Sequence, residues 1–403
     1  MPSTHSPKAG VATAAKGRIL ALDIFRGMTI AFMIIVNTPG NGDRSWGPLR
    51  HAVWHGFTPT DLVFPSFLFI IGVSAWFSLK KFATHSTQPP WGKIWRRTAI
   101  IFLIGMLMWY VPGLIVSFFH GTTGTYLKDV YEHVRVLGVL GRLALCYGIG
   151  STLALMLSRR GLLFASAALL LVYWGLMYQF GMGEDRYGLQ TNAALRFDLW
   201  LLGPNHLYHG ESVNGQPYAF DPEGVLSTLP AIVTFILGYL TGRFIDATPD
   251  RRVALSELFP RALLLIAAGF LWSYWLGFPI NKKIWTSSYT LFVGGLSLLL
   301  LSLTLWWVDV KGCGRFLRFF DIFGRNPLLA YITSELGVTV LDMIPIKAAD
   351  GTETSAMHWI YQSICVTIAG NNGLGSFVFS IGYMLAIWIL AWAAYKRGLV
   401  IKV

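Results

Sequence analysis

Apolar runs long enough to cross a bilayer recur along the chain, near 19–37, 61–79, 96–118, 134–157, 161–180, 224–243, 259–279, 285–308, 323–346 and 374–395. Each approaches the ~20 residues a helix needs to span ~30 Å of hydrocarbon, and polar stretches rich in Lys, Arg, Pro and Asn separate them. The pattern predicts an all-α fold, a polytopic integral membrane helical bundle of about ten transmembrane helices. The segment 356–370 is apolar but short for a span, and reads as interfacial or re-entrant. There is no internal repeat, and no matching pair of Gly/Pro-broken helices in two halves of the kind that points to many secondary transporters.

Charge orients the bundle. With the N-terminus in the cytoplasm, Lys80, Lys81, Lys93, Arg96, Arg97, Arg159, Arg160, Arg251, Arg252, Arg318 and Arg325 share one side, joined by Lys396 and Arg397 for an even number of spans. The other side keeps fewer cations, among them Arg44, Arg50, Lys282 and Lys283. This positive-inside bias predicts cytoplasmic N- and C-termini. Residues 1–17 read as a disordered cytoplasmic tail and 18–403 as a single transmembrane domain. No small-residue cleavage site follows the first apolar run, which carries Asp23 and Arg26, so it reads as a retained helix and not a removable signal.

Composition narrows the class further. Apolar residues make up 54% of the 403 and charged ones 13%, outside the range of a soluble domain and leaving no room for a separate one. The net charge of +12 follows from sidedness, and its short clusters between spans lack the groove or basic helix of a nucleic-acid binder. Cys146, Cys313 and Cys365 show no metal or redox spacing and read as packing residues.

Candidate chemistry concentrates in the loop Asn37–Asp61, NTPGNGDRSWGPLRHAVWHGFTPTD, between the first two spans and on the outer face. A helix connection does not need that much polar chemistry, and His51 lies among Trp46, Trp54, Asn37 and Asp61. Asp61, after Thr58 and Pro59, suits an N-cap of the second span and can also orient a nearby imidazole. His51 with His55, and His206 with His209, have zinc-compatible spacing, but no HExxH or carboxylate pattern accompanies them and no metal is expected. There is no GxSxG turn for a serine hydrolase.

Charges within the spans need partners, because each costs about 3 kcal/mol at a helix centre even on the milder scales. Asp23 and Arg26 lie i, i+3 and can pair as a structural bridge; alternatively Arg26 lines a polar channel for an anion entering from the cytoplasm. Arg135 and Arg142 are seven apart, which on a continuous helix puts them near one face and suits an elongated anion; snorkelling for Arg135 and a buried partner for Arg142 is the other reading. Arg325 and Asn326, at the inner start of the ninth span, either meet the same anion or follow the charge bias. On the outer side Asn205, His206, Asp221 and Glu223 are candidate polar contacts, and Trp46 or Trp54 could stack on a sugar face.

The runs LDIFRGMTIAFMIIVNTPG and LRHAVWHGFTPTDLVFPSFLFIIGVS, continued in VRVLGVLGRLALCYG, FDPEGVLSTLPAI, FPINKKIWTSSY and FGRNPLLAY, resemble the heparan-α-glucosaminide N-acetyltransferase family of membrane enzymes and its bacterial relatives. The resemblance covers about residues 18 to 340. It implies transfer of an acetyl group from cytoplasmic acetyl-CoA, as co-substrate, to the amine of glucosamine or a related amino sugar on the periplasmic side. The family's essential histidine falls on His51, and its associated asparagine and aspartate on Asn37 and Asp61. On this reading Arg26, Arg135, Arg142, Arg325 and Asn326 would hold the anionic donor, and Trp54, His206 and Glu223 the acceptor. Gly141 stands where the family commonly has Gln. The lysosomal members' luminal domain and extra first helix have no counterpart, so heparan sulfate itself is not the expected acceptor. His51 is expected to act as general base or as an acetyl-carrying nucleophile. Expected surroundings are a bacterial inner membrane and its lipids, with homo-oligomerisation left open. The rival readings are a transporter of a sugar or sugar derivative and an O-acyltransferase acting on an envelope glycan.

Overall fold

A computed structural model describes residues 19–83, 88–315, 317–347 and 351–401; the expected tail, 1–17, lies outside them. The described chain is mainly helical. Its helices are α1 Leu20–Asn37, α2 Val63–Leu79, α3 Trp91–Phe119, α4 Thr123–His133, α5 Val139–Met156, α6 Arg159–Phe180, α7 Ala193–Leu202, α8 Thr228–Ala247, α9 Arg251–Leu276 and α10 Ser287–Leu305. There follow α11 Arg318–Arg325, α12 Pro327–Met343, α13 Ala356–Ile360, α14 Thr367–Ala369 and α15 Gly373–Lys396. Two antiparallel hairpins interrupt them, β1 Glu211–Val213 with β2 Gln216–Tyr218, and β3 Pro345–Lys347 with β4 Glu353–Ser355.

Helix α2 packs along α8 at the centre, and small residues set how close they come. A Cβ at Gly72 would lie 2.1 Å from the Phe235 carbonyl oxygen, and one at Gly238 would lie 2.0 Å from that of Phe69. Such small-residue contacts let helix backbones meet where no hydrophobic effect drives them together in lipid. Helices α3, α6 and α9 lie at the periphery and expose Leu103, Leu107, Phe164, Leu171, Leu264 and Phe270. Apolar residues this exposed on long helices fit hydrocarbon as solvent.

Nine described helical stretches are long and apolar enough to cross a bilayer, against about ten expected. The difference lies in the run 323–346. Pro327 lacks a backbone N–H and biases the residue before it away from helix, and Asn326 has φ −137° and ψ 59°, so the run divides into α11 and the 17-residue α12. The 356–370 segment forms a helical run from Ala356 to Ala369 with a π turn at Tyr361–Val366, ahead of α15.

Candidate active site

The loop after α1 returns through three short 3-10 turns, and the last of them, Pro59–Leu62, delivers Asp61 to the start of α2. Asp61 is 1% exposed and divides its carboxylate between two tasks. Oδ2 accepts from the backbone N–H of Thr58 (2.9 Å) and Ala52 (3.2 Å) and from the Thr58 hydroxyl (3.1 Å), completing a capping box. Oδ1 lies 2.7 Å from Nδ1 of His51. The Tyr289 hydroxyl donates to the Asp61 carbonyl at 2.6 Å. Asp61 is therefore both the cap and the partner of the imidazole. His51, with 45% of its side chain exposed, is held at Nδ1 by this carboxylate.

A third group meets this pair. Lys282 Nζ lies 3.1 Å from His51 Nδ1, 3.2 Å from Nε2 and 4.0 Å from Asp61 Oδ1. Burial lowers its pKa, against the pull of Asp61 and Glu223, while Lys283 adds to the lowering. The loop that carries it is tightly built. Thr286 Oγ1 accepts from the Asn281 and Tyr289 N–H groups and donates to the Pro279 carbonyl, and Asn281 Oδ1 accepts from Ile284. Trp285 adopts φ +46°, uncommon for a bulky residue, and its buried ring packs on Phe64 and Tyr289 at 5.1 and 5.5 Å. A conformation of that cost persists only where packing over-determines it, here fixing the reach of Lys282.

These groups open on a cavity of about 740 Å³ between α1, α2, α3 and α12. Asn37, Trp54, Arg135, Glu223 and Glu335 line its polar wall; Phe67, Phe102 and Met106 line its apolar one. Arg135 binds Asp221 through Nε (2.8 Å) and Nη2 (2.7 Å), and Glu223 through Nη2 (2.7 Å), between the rings of Trp109 and Tyr208. Lys283 pairs with Glu211 at 2.7 Å, and Trp54 donates to the Tyr187 carbonyl at 2.9 Å. The side chains of Asn37 and Glu335 are neighbours on this wall.

The other predicted residues lie elsewhere. Arg26 binds Asp23 (2.9 Å), the Gly324 carbonyl (3.0 Å) and Ser74 (2.7 Å), tying α1 to α11 and α2. Arg325 pairs with Asp321 at 2.7 Å, and Asn326 holds the backbone of Leu399 and Ile401. His206 lies 2.9 Å from the Val134 carbonyl, off the cavity wall. The shared face expected for Arg135 and Arg142 is corrected: Gly138 is extended and α5 begins at Val139, so Arg135 lies in a loop ahead of the helix. Arg142 is fully buried, donates to Gly224 and Ser227, and stacks 5.1 Å from Trp285. His51 and His55 also part company, the second turning to Asn281 (3.2 Å) and Asp185 (4.0 Å).

Among the cavity residues that escaped sequence reasoning, Lys282 and Glu335 matter most. Lys282 had a signal, a lysine pair on the cation-poor side of the bundle; Glu335 had another, a carboxylate inside an apolar run.

Fold and site together define a polytopic helical membrane protein with a His–Asp–Lys centre at one end of its bundle, opening on a half-apolar cavity. The chain belongs to the family described as heparan-alpha-glucosaminide N-acetyltransferase, catalytic, which matches residues 18–276. It is 26% identical to heparan-alpha-glucosaminide N-acetyltransferase of Mus musculus, over 97% of this chain and 61% of the relative. With the Homo sapiens protein of the same name the identity is 28%, over 80% of this chain and 54% of the relative. The chain thus spans less than two thirds of the length of either.

Proposed function

We propose that this protein transfers an acetyl group from acetyl-CoA to the amine of glucosamine or a related amino sugar, at the His51 end of the bundle and on the periplasmic side of a bacterial inner membrane. The observation that carries the reading is the 2.7 Å contact between His51 Nδ1 and Asp61 Oδ1, with Lys282 against the same ring on the cavity wall. The family match over residues 18–276, which includes His51 and Asp61, supports it. In the proposed reaction Asp61 accepts the Nδ1 proton in a hydrogen bond and fixes the tautomer, leaving the Nε2 lone pair as general base. Nε2 takes a proton from the acceptor nitrogen as that nitrogen bonds to the thioester carbon. The carbon–sulfur bond then breaks and the CoA thiolate takes up a proton. Asn37 and Lys282 supply donors to the oxygen that gains charge in between, a contribution of about 3 kcal/mol per well-placed donor.

The apolar wall of Phe67, Phe102 and Met106 fits the acetylated pantetheine arm better than a nucleotide. Arg26, Arg325 and Asn326 hold partners of their own away from this cavity, so they are not assigned to the CoA phosphates.

The test uses the purified protein in detergent and in liposomes, with labelled acetyl-CoA and glucosamine. Label on the sugar amine with wild type and not with His51→Ala supports the reading. Sugar crossing the liposome in both proteins without transfer would replace it with a transporter, and label on a hydroxyl with an O-acyltransferase. Acetyl-enzyme trapped from acetyl-CoA alone would make His51 the nucleophile.

A further inference from the structure

Among the described residues four carboxylates line the cavity, and three of them are answered from its own walls. Asp61 faces His51 and Lys282, Glu223 faces Arg135, and Glu211 faces Lys283. Arg135 is further committed to Asp221. The fourth, Glu335, forms no ion pair among the described residues; its side-chain neighbour is the Asn37 amide. A single neutral neighbour leaves most of the acceptor capacity of a carboxylate unused. Glu335 projects from α12 eight residues before its end at Met343, roughly 12 Å along the axis. Tyr331, one turn earlier on α12, lines the same wall. With His51 neutral, the three lining cations Arg135, Lys282 and Lys283 leave the four carboxylates one positive charge short.

A cavity with one carboxylate in excess, and a carboxylate inside an apolar helix without a cation, is complementary to a small cationic ligand. We infer that Glu335 is the counter-ion for the ammonium group of the acceptor, and that it selects a primary amine on a polar, sugar-sized molecule over the corresponding alcohol. The inference rests on the acetyl-transfer reading for its setting. Asn37 links the two roles: its side chain neighbours Glu335 on the cavity wall and is the donor proposed for the thioester oxygen, which sets the bound ammonium beside the reacting carbon. Glu335 binds the amine in its protonated form; one proton passes to solvent water to free the nitrogen lone pair, and His51 takes the second as that nitrogen bonds to the thioester carbon, the proton that then goes to the CoA thiolate.

The experiment measures equilibrium binding of labelled glucosamine and labelled glucose to the full chain in detergent without acetyl-CoA, then steady-state kinetics with it, for wild type, Glu335→Gln and Glu335→Asp. Loss of one charge-assisted contact predicts a 10- to 100-fold weaker binding of glucosamine in Glu335→Gln, with little change for glucose. KM for the amine rises in step, while acetyl-CoA binding holds. Glu335→Asp keeps the charge and should keep most of the preference for the amine, and it stands in if Glu335→Gln does not fold. An unchanged preference in Glu335→Gln, or loss of the preference in a folded Glu335→Asp, overturns the inference. So does a fall in kcat at unchanged KM for the amine, which would make Glu335 a positioning residue for Asn37. Glu335-dependent amine preference in a protein that transfers no acetyl group would retain the ammonium site and sink the transfer reading. Full transfer with unaltered amine KM in Glu335→Gln would do the reverse.

Discussion

The two ends of the bundle contain the same kinds of charged side chain and use them differently. At the end formed by α11 and the start of α12, every charged or amide group named for a ligand is already bound within the protein: Arg26 to Asp23 of its own helix and to Ser74 and Gly324 of its neighbours, Arg325 to Asp321 one turn earlier in α11, Asn326 to Leu399 and Ile401. The backbones meet there too, since a Cβ at Gly27 would lie 1.8 Å from the Phe320 carbonyl oxygen and one at Gly324 equally near that of Asp23. At the His51 end, His51, Lys282, Asn37 and Glu335 keep atoms facing a common cavity. Charge in a membrane protein therefore marks a site only where it faces space; paired across a helix contact, it is a fastener.

The difference has measurable consequences. His51→Ala should lower kcat by 10²- to 10⁴-fold, the range for loss of a general base, with the protein still folded because the ring is half exposed. Lys282→Met should lower kcat by roughly 10- to 100-fold, less than His51→Ala because the base remains. It should do so without loss of thermal stability near neutral pH. Burial holds Lys282 below its ordinary pKa, so carrying its charge costs the folded state at low and neutral pH, a cost that fades as pH rises toward the ordinary lysine value. A fall in melting temperature with unchanged kcat would make Lys282 a structural residue.

At the opposite end the pattern should invert. Arg26→Met removes the group that joins three helices and should cost about 3 kcal/mol of stability, seen as a lower denaturation midpoint, with KM for acetyl-CoA within a few-fold of wild type. A large rise in that KM would return Arg26 to the donor site.

The smallest effect concerns Asp198 of α7, which accepts from the Val225 N–H at 2.9 Å and steadies the turn that carries Asp221 and Glu223. Burial pushes its pKa up to about 7, against the backbone N–H groups of Val225 and Leu226. Its folded form holds a proton that the unfolded chain has released, so its contribution to stability is present below the ordinary carboxylate pKa and is lost as pH rises through about 7. Melting temperature should fall less between roughly pH 5 and 8 in Asp198→Asn than in wild type. Parallel curves would show that Asp198 ionises normally.

Much of this was legible in the sequence. The spans followed from apolar length, the Asp23–Arg26 pairing from i, i+3 spacing, and the prominence of His51 from polar density in a loop that needed none. Asp61 was read as cap or as imidazole partner, and its two oxygens do both. The rest depended on where helices start and stop. Seven-residue spacing implies a shared face only on an unbroken helix, and the extended Gly138 sends Arg135 to the cavity and leaves Arg142 in the core. The division at Asn326–Pro327 turned one expected span into two helices. Lys282 lies more than two hundred residues from His51 in sequence, and its position depends on a positive φ at Trp285 that no local pattern announces.

The most direct measurement places the two ends side by side: kcat/KM for acetyl transfer to glucosamine by His51→Ala and Arg325→Ala, prepared together in one detergent. If the chemistry belongs to the His51 end, the first falls by at least about 10²-fold and the second stays within about threefold of wild type. A His51→Ala enzyme that still transfers acetyl while Arg325→Ala does not would move the active site to the other end of the bundle.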